Sequence, residues 1–385
     1  MKTRNKIMLT AVLSAAAAAL VTGSIFIYTS YKYRTDHEEI SEYFEVVDYI
    51  DKYYYKEPDK ESYMDNALKG LVAGLEDEYA AYMTPEEYNS TMENLQGSFA
   101  GIGATITHNQ EKQFVVTEII ENSPASAAGI AIGDIITKVN GVPTNNMDIN
   151  ELVSLVKGEE GTEVTITIKR ENAEKDITLI REVIESDTVD YTMLDDNIAY
   201  IKIASFKDVT PQQFNEAIEA AIDDGAEKIV YDLRNNLGGL LTSCEAVLDP
   251  LLPEGEVAYA EYRDGSSDVI CMSDENELDI PSVILVNENT ASASELFSSA
   301  MRDFGKAELV GTTTYGKGIM QTTIKLSNNG GLRMTIAEYR TANSDCFHGE
   351  GLTPDYEVQL PENTDISTPD VEKDTQLKKA IEILK

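Results

Sequence analysis

A strand pattern that runs into small residues and turns straight into a helix constrains this chain more than any other feature. Residues 283–286 are a largely β-branched apolar run, and Asn289-Thr290-Ala291-Ser292-Ala293-Ser294-Glu295 follows soon after. Leu296, Phe297, Ala300, Met301 and Phe304 then fall on one helical face. A strand-to-helix turn of this kind exposes a nucleophile and points backbone N–H groups at it. A second such unit lies upstream: an apolar strand over 228–233, the loop Arg234-Asn235-Asn236-Leu237-Gly238-Gly239, and a helix through Leu252. In open α/β sheets the carboxyl ends of strands converge on the ligand crevice, so both loops can face one site.

At 385 residues the chain is long enough for two or more domains. Its net charge of −37 excludes a nucleic-acid partner, since no Lys/Arg surplus exists to displace counterions from phosphates. The charge fits a self-repelling, soluble surface; a choice of cationic substrates is the other reading. Cys244, Cys271 and Cys346 are far apart and lack metal spacing, so neither a disulfide framework nor a zinc site is expected. His37, His108 and His348 are scattered surface or loop residues, and any base for Ser292 must be of another kind. No metal or cofactor is implied.

Lys2, Arg4 and Lys6 precede a largely apolar stretch over 7–28, long enough at about 1.5 Å rise per residue to cross a hydrocarbon core. The small residues Ala15 to Ala19 lie mid-run rather than at an exit. The expectation is an uncleaved anchor over 1–35, with the bulk of the chain outside the cell membrane. Residues 36–95 form a helical arm with apolar positions Phe44, Val47, Ile50 and Tyr54, a break at Pro58, and a resumption at Tyr63, Leu68 and Leu71. Thr84-Pro85-Glu86-Glu87 is a helix start. A homodimer through this arm is one expectation.

Residues 96–182 pattern as a compact module of short strands and two helices. It opens with Gly97-Ser98-Phe99-Ala100-Gly101-Ile102-Gly103. Its run Ser-Pro-Ala-x-x-Ala-Gly-Ile-x-x-Gly-Asp-x-Ile-x-x-Val-Asn-Gly resembles a PDZ domain of the bacterial protease type. That resemblance implies that the loop of Phe99, Ala100, Gly101, Ile102 and Gly103 binds a polypeptide C-terminus through backbone N–H groups. Tight-turn geometry is the other reading of those glycines, and both can hold together.

Lys317 lies between Gly316 and Gly318. A lysine serves as a base only when neutral, so its ordinary pKa near 10.4 must fall, which burial achieves. Taken alone, a lysine between glycines is equally a hairpin-loop cation. Asn-x-x-Thr-Ala-Ser-Ala-Ser-Glu with Tyr-Gly-Lys-Gly-x-x-Gln, the Asp232 to Gly239 run, the PDZ module and the late Gly351-Leu-Thr-Pro-Asp355 together resemble the carboxyl-terminal processing peptidases of the S41 serine protease family. The resemblance covers the chain from about residue 36 to the end. It implies Ser292 as nucleophile, Lys317 as general base and Gln321 as the residue orienting it. It also implies an oxyanion hole of the Ala293 N–H and a glycine of the loop, Gly239 in preference to Gly238. A Gln321–Lys317 contact requires a bend at Gly318 or a lysine reaching along the strand. Glu295 is either a catalytic residue or an acid favoured at a helix start. The sequence departs from the family at Leu237, where proline is usual, and at Leu75-Glu-Asp-Glu-Tyr79.

The expected fold is a multi-domain α/β chain: anchor 1–35, arm 36–95, PDZ domain 96–182, a ClpP/crotonase-like α/β peptidase core 183–360, and a linker with a closing helix 361–385. The expected function is an extracytoplasmic serine endopeptidase acting on unfolded or membrane-tethered polypeptides. A catalytically inactive PDZ scaffold is the alternative.

Overall fold

The computed structural model describes residues 40–171 and 173–385, so the expected anchor over 1–35 and His37 lie outside the described residues. Among the described residues no helix is long and apolar enough to cross a membrane. The chain divides into a unit ending at Gly70 and a larger unit, Leu71–Lys385.

Helix α1 covers 40–53 and carries exposed Phe44, Tyr49, Ile50 and Tyr53; helix α2 is Tyr63–Ala73. The expected helical arm is then interrupted by strand β1 (Ala81–Met83), before helix α3 (Pro85–Gln96). At the helix start that the sequence indicates, Thr84 and Glu87 form a capping box, each bonding the other's backbone N–H.

Strands β2 (Ser98–Gly101) and, much later, β9 (Glu182–Glu185) pair antiparallel as a two-stranded ribbon. Between them lies the module: β3 (Ala104–His108), β4 (Phe114–Ile119), α4 (Pro124–Ala127), β5 (Ile135–Val139), β6 (Val142–Pro143), α5 (Ile149–Val156), β7 (Glu163–Arg170) and β8 (Ala173–Ile180). The sheet order is β3-β4-β5-β7-β8, with β6 on β5. Alternating Val164, Ile166 and Ile168 meet Leu152 and Val156 of α5 in one buried core, separate from the core of the remaining chain.

The second sheet runs β10 (Val189–Leu194), β11 (Ile198–Ile203), β12 (Lys228–Asp232), β15 (Ser282–Val286), β16 (Ala307–Gly311) and β19 (Tyr356–Glu357); its inner strands are parallel. Helices α6 (Thr210–Asp223), α7 (Leu241–Leu248) and α8 (Ala293–Asp303) cover one face, and α9 (Thr375–Leu384) the other. Burial on both faces explains why 283–286 is continuously apolar: Ile284 and Val286 pack toward α8, Val283 and Leu285 toward α9. A third sheet joins β1, β13 (Gly255–Tyr262), β14 (Ser267–Ser273), β17 (Ile319–Lys325) and β18 (Gly331–Thr341). The hairpin β13–β14 and strand β1 are additions to the sequence reading. β1 pairs with β18 in the register Ala81 to Arg333, Tyr82 to Leu332 and Met83 to Gly331.

A buried ion-pair network ties α9 to the end of β12. The Arg234 guanidinium donates to both Asp232 oxygens, to Asp374 at 2.7 Å and to Gln376 Oε1 at 3.0 Å, and Tyr200 Oη donates to Asp232. The two carboxylates raise the Arg234 pKa against the opposing effect of burial. Substituting Arg234→Ala leaves two buried carboxylates without their cation and is expected to lower unfolding free energy by about 3–5 kcal/mol, read by chemical denaturation.

Candidate active site

The loop after β12 and the loop after β15 are laced together by asparagines. Asn287 Oδ1 accepts the Asn235 N–H at 2.9 Å, while Asn235 Oδ1 accepts from the side chains of Asn287 and Asn289. Thr290 Oγ1 donates to the Leu233 carbonyl at 2.9 Å, and the Ala291 N–H to the Asn236 carbonyl at 3.0 Å. Short polar side chains suit such loops because they bond nearby backbone. Leu237 is 71 % exposed and takes no part in this lacing.

Ser292 sits at the start of α8 with φ 58° and ψ −120°, a left-handed conformation that costs a non-glycine residue. It is half-buried, whereas Ser294 is 0 % exposed, with its Oγ lacking a hydrogen-bond partner among the described residues. Access therefore distinguishes the two hydroxyls. Gly238 presses against this turn. A Cβ there would meet the Ala291 carbonyl at 2.6 Å and Ser292 Cβ at 2.9 Å; one on Gly239 would meet the Phe206 carbonyl at 2.0 Å.

The N–H groups around Ser292 separate cleanly. Gly238 N–H is consumed by Asn236 Oδ1 at 2.9 Å, and Leu240 N–H by the Phe206 carbonyl at 2.7 Å. Ser292 N–H goes to Glu295 Oε2 at 2.9 Å. Among the described residues, no acceptor takes the N–H of Gly239 or of Ala293.

Glu295 is the residue whose part the sequence understated. Its carboxylate is 0 % exposed and accepts from Ser292 N (2.9 Å), Thr314 Oγ1 (2.5 Å), Gly316 N (2.7 Å) and Lys317 N (2.8 Å). It thus joins the serine turn to the lysine loop. Behind that loop, Thr314 Oγ1 accepts the Leu352 N–H and Gly316 O accepts the Gly349 N–H, which places the late Gly351 to Asp355 motif as its floor. Tyr339 Oη donates to the Lys317 carbonyl at 2.9 Å. Burial raises the Tyr339 pKa well above its usual value, the Glu295 charge adds to this, and the adjacent Ser292 hydroxyl opposes it.

Lys317 is half-buried, and its pKa is lowered, chiefly by loss of water and then by the positive charge of Arg333; Glu78, Asp77 and Glu295 oppose the fall. Its Nζ lies 4.1 Å from the centroid of the Tyr79 ring. Among the described residues no hydrogen bond joins it to Ser292 Oγ or to Gln321. Gln321 Nε2 donates instead to the Ile319 carbonyl (3.2 Å) and Thr335 Oγ1 (3.4 Å), beside a bulge between Met320 and Gln321.

In the module, Phe99, Ala100 and Gly101 belong to β2, paired with Ile184, Val183 and Glu182. Ile102 is buried, and Gly103 takes φ 72° where a Cβ would lie 2.2 Å from Ser123 Cβ, so tight geometry does require that glycine. Lys157 Nζ stands 4.4 Å over the Phe99 ring and pairs with Glu93 of α3 at 2.8 Å.

Residues 197–358 match the family profile of Peptidase family S41, and residues 115–170 that of the PDZ domain. The chain is 31 % identical over 369 residues to the carboxy-terminal processing protease CtpA of Bacillus subtilis, covering 95 % of this chain and 79 % of that protein. It is 34 % identical over 352 residues to a probable CtpA-like serine protease of Staphylococcus aureus, covering 89 % and 70 %. The solved photosystem II D1 C-terminal processing protease is 27 % identical with a TM-score of 0.49, covering 84 % of this chain and 88 % of that one. The chain is a multi-domain α/β serine-type peptidase with a PDZ domain. It belongs to the S41 family of carboxy-terminal processing proteases.

Glu295→Gln presents an amide N–H₂ to backbone donors and strands part of the clamp. It is expected to lower kcat about a hundredfold with little change in KM, measured by steady-state peptide cleavage. Because the Lys317 pKa is lowered by the Arg333 charge, Arg333→Gln should raise it. With Lys317 as the general base that the family resemblance implies, the limb on which kcat/KM rises with pH then moves to higher pH in an initial-rate profile.

Proposed function

We propose that the chain is a membrane-anchored, extracytoplasmic endopeptidase that cleaves polypeptides with Ser292 as nucleophile and Lys317 as general base. The observation that carries this reading is the Glu295 clamp, which fixes the Ser292 turn and the Lys317 loop to one buried carboxylate. Neutral Lys317 takes the Ser292 proton as Oγ attacks the scissile carbonyl. The N–H groups of Ala293 and Gly239 hold the oxyanion; their freedom from other acceptors favours Gly239 over Gly238. Lys317 returns the proton to the leaving amine, and water releases the acyl-enzyme. Gln321 orients the lysine once the latter turns toward Ser292.

The PDZ module takes the substrate's C-terminus at Phe99, Ala100, Gly101, Ile102 and Gly103, adding it to a strand edge. Unfolded or membrane-tethered polypeptides fit such capture. The apolar stretch over 7–28 holds the protein in the membrane, and the exposed apolar side chains of α1 support a homodimer through the arm.

Lys317→Ala and Ser292→Ala should each abolish cleavage of an unfolded protein, followed by gel and mass spectrometry of the fragments. Retained cleavage by the lysine variant would overturn the dyad.

A further inference from the structure

Lys317 is not idle in this structure; its amine is occupied by an aromatic face. Tyr79 belongs to the segment that links α2 to β1, and that segment is held on the sheet that carries the base. Arg333 Nε donates to the Tyr79 carbonyl at 3.0 Å, and Asp77 accepts the Thr335 N–H at 3.2 Å and the Tyr79 N–H at 2.9 Å. Both Arg333 and Thr335 lie on β18, the strand paired with β17 and Gln321. The ring is therefore presented to Nζ by a built scaffold. The groups facing the amine are Arg333 from β18, Asp77 and Glu78 from the same segment, and Glu295 from α8. Tyr79 itself faces Tyr315 and Glu78.

A ring face attracts the ammonium form and has little hold on the neutral amine. We infer that Tyr79 is a positioning residue that parks protonated Lys317 away from Ser292, so that the site rests disarmed until the lysine loses its proton and leaves the ring. This rests on the Ser–Lys reading above. Because the parked form is protonated, the ring acts against the depression that burial and Arg333 impose. Removing the ring's pull should let the base form at lower pH.

The test uses the full chain and a small phosphonofluoridate, which forms an Oγ–P bond at Ser292, releases fluoride and needs no PDZ ligand. Labelling rate is followed against pH. In Tyr79→Leu, and equally with a pentafluorinated phenylalanine at position 79 that keeps the shape and reverses the quadrupole, the rising limb should move down. The expected shift is about half to one pH unit, or about three- to tenfold faster labelling at a fixed pH on the limb. Tyr79→Phe, which keeps the ring face, should bring the limb back toward that of the wild type. A purely structural role would lower the plateau without moving the limb. A limb that stays in place or moves up in both ring variants overturns the parking role. A limb that survives Lys317→Ala overturns the Ser–Lys reading itself.

Discussion

A single buried carboxylate decides whether the two halves of the site meet. Glu295 is fully buried, and a carboxylate in that position is costly unless its lone pairs are filled. Three backbone N–H groups and one hydroxyl fill them, and the start of α8 adds a favourable dipole. The bonds run to residues that must be placed together: Ser292, and Lys317 with Gly316 and Thr314 of its loop. The charge therefore acts as a jig, because any displacement of either loop leaves part of it unsatisfied.

Around that jig the fold supplies rigid edges. Parallel strands β12 and β15 end side by side, and their loops share asparagine and threonine bonds before reaching Gly239 and Ser292. The Arg234 network anchors the same strand end from the opposite face of the sheet. Lys317 arrives from a different sheet, through β17 and β18: Glu295 of α8 accepts its backbone N–H, and Tyr339 of β18 donates to its carbonyl.

Most of the core was legible because its period is local. The β15 run, the α8 face and the cap at Thr84 each follow from neighbours within a few residues. Strand β1 was not legible: three residues inside a helical-looking arm become a strand only by pairing with Gly331 to Arg333, far along the chain. The hairpin β13–β14 was hidden by acidic and polar residues such as Glu256, Glu261 and Asp268 along its strands. At the site, motif and spacing pointed to Ser292, Lys317 and the Gly238–Gly239 pair. Glu295 was underread because a helix-start acid accounts for it locally, whereas its partners come from a loop that sequence cannot place. Tyr79, Arg333 and Tyr339 carry no local sign of their position, and a motif search confined to the two loops passes them by.

The antiparallel ribbon of β2 and β9 has a consequence for how this chain could have been assembled. Ser98 faces Glu185 across it, and the Ser186 N–H donates to the Gly97 carbonyl at 2.7 Å. The points where the chain departs for the PDZ module and returns from it are thus already hydrogen-bonded neighbours. Everything between them has a core of its own and joins the chain through one short stem, with the Lys157–Glu93 pair as a further tie to α3. A tight turn across the stem would close the peptidase without it, and a different module with adjacent termini would fit the same two strands. The stem is a natural grafting point, where recognition can be exchanged while the catalytic loops keep their sequence.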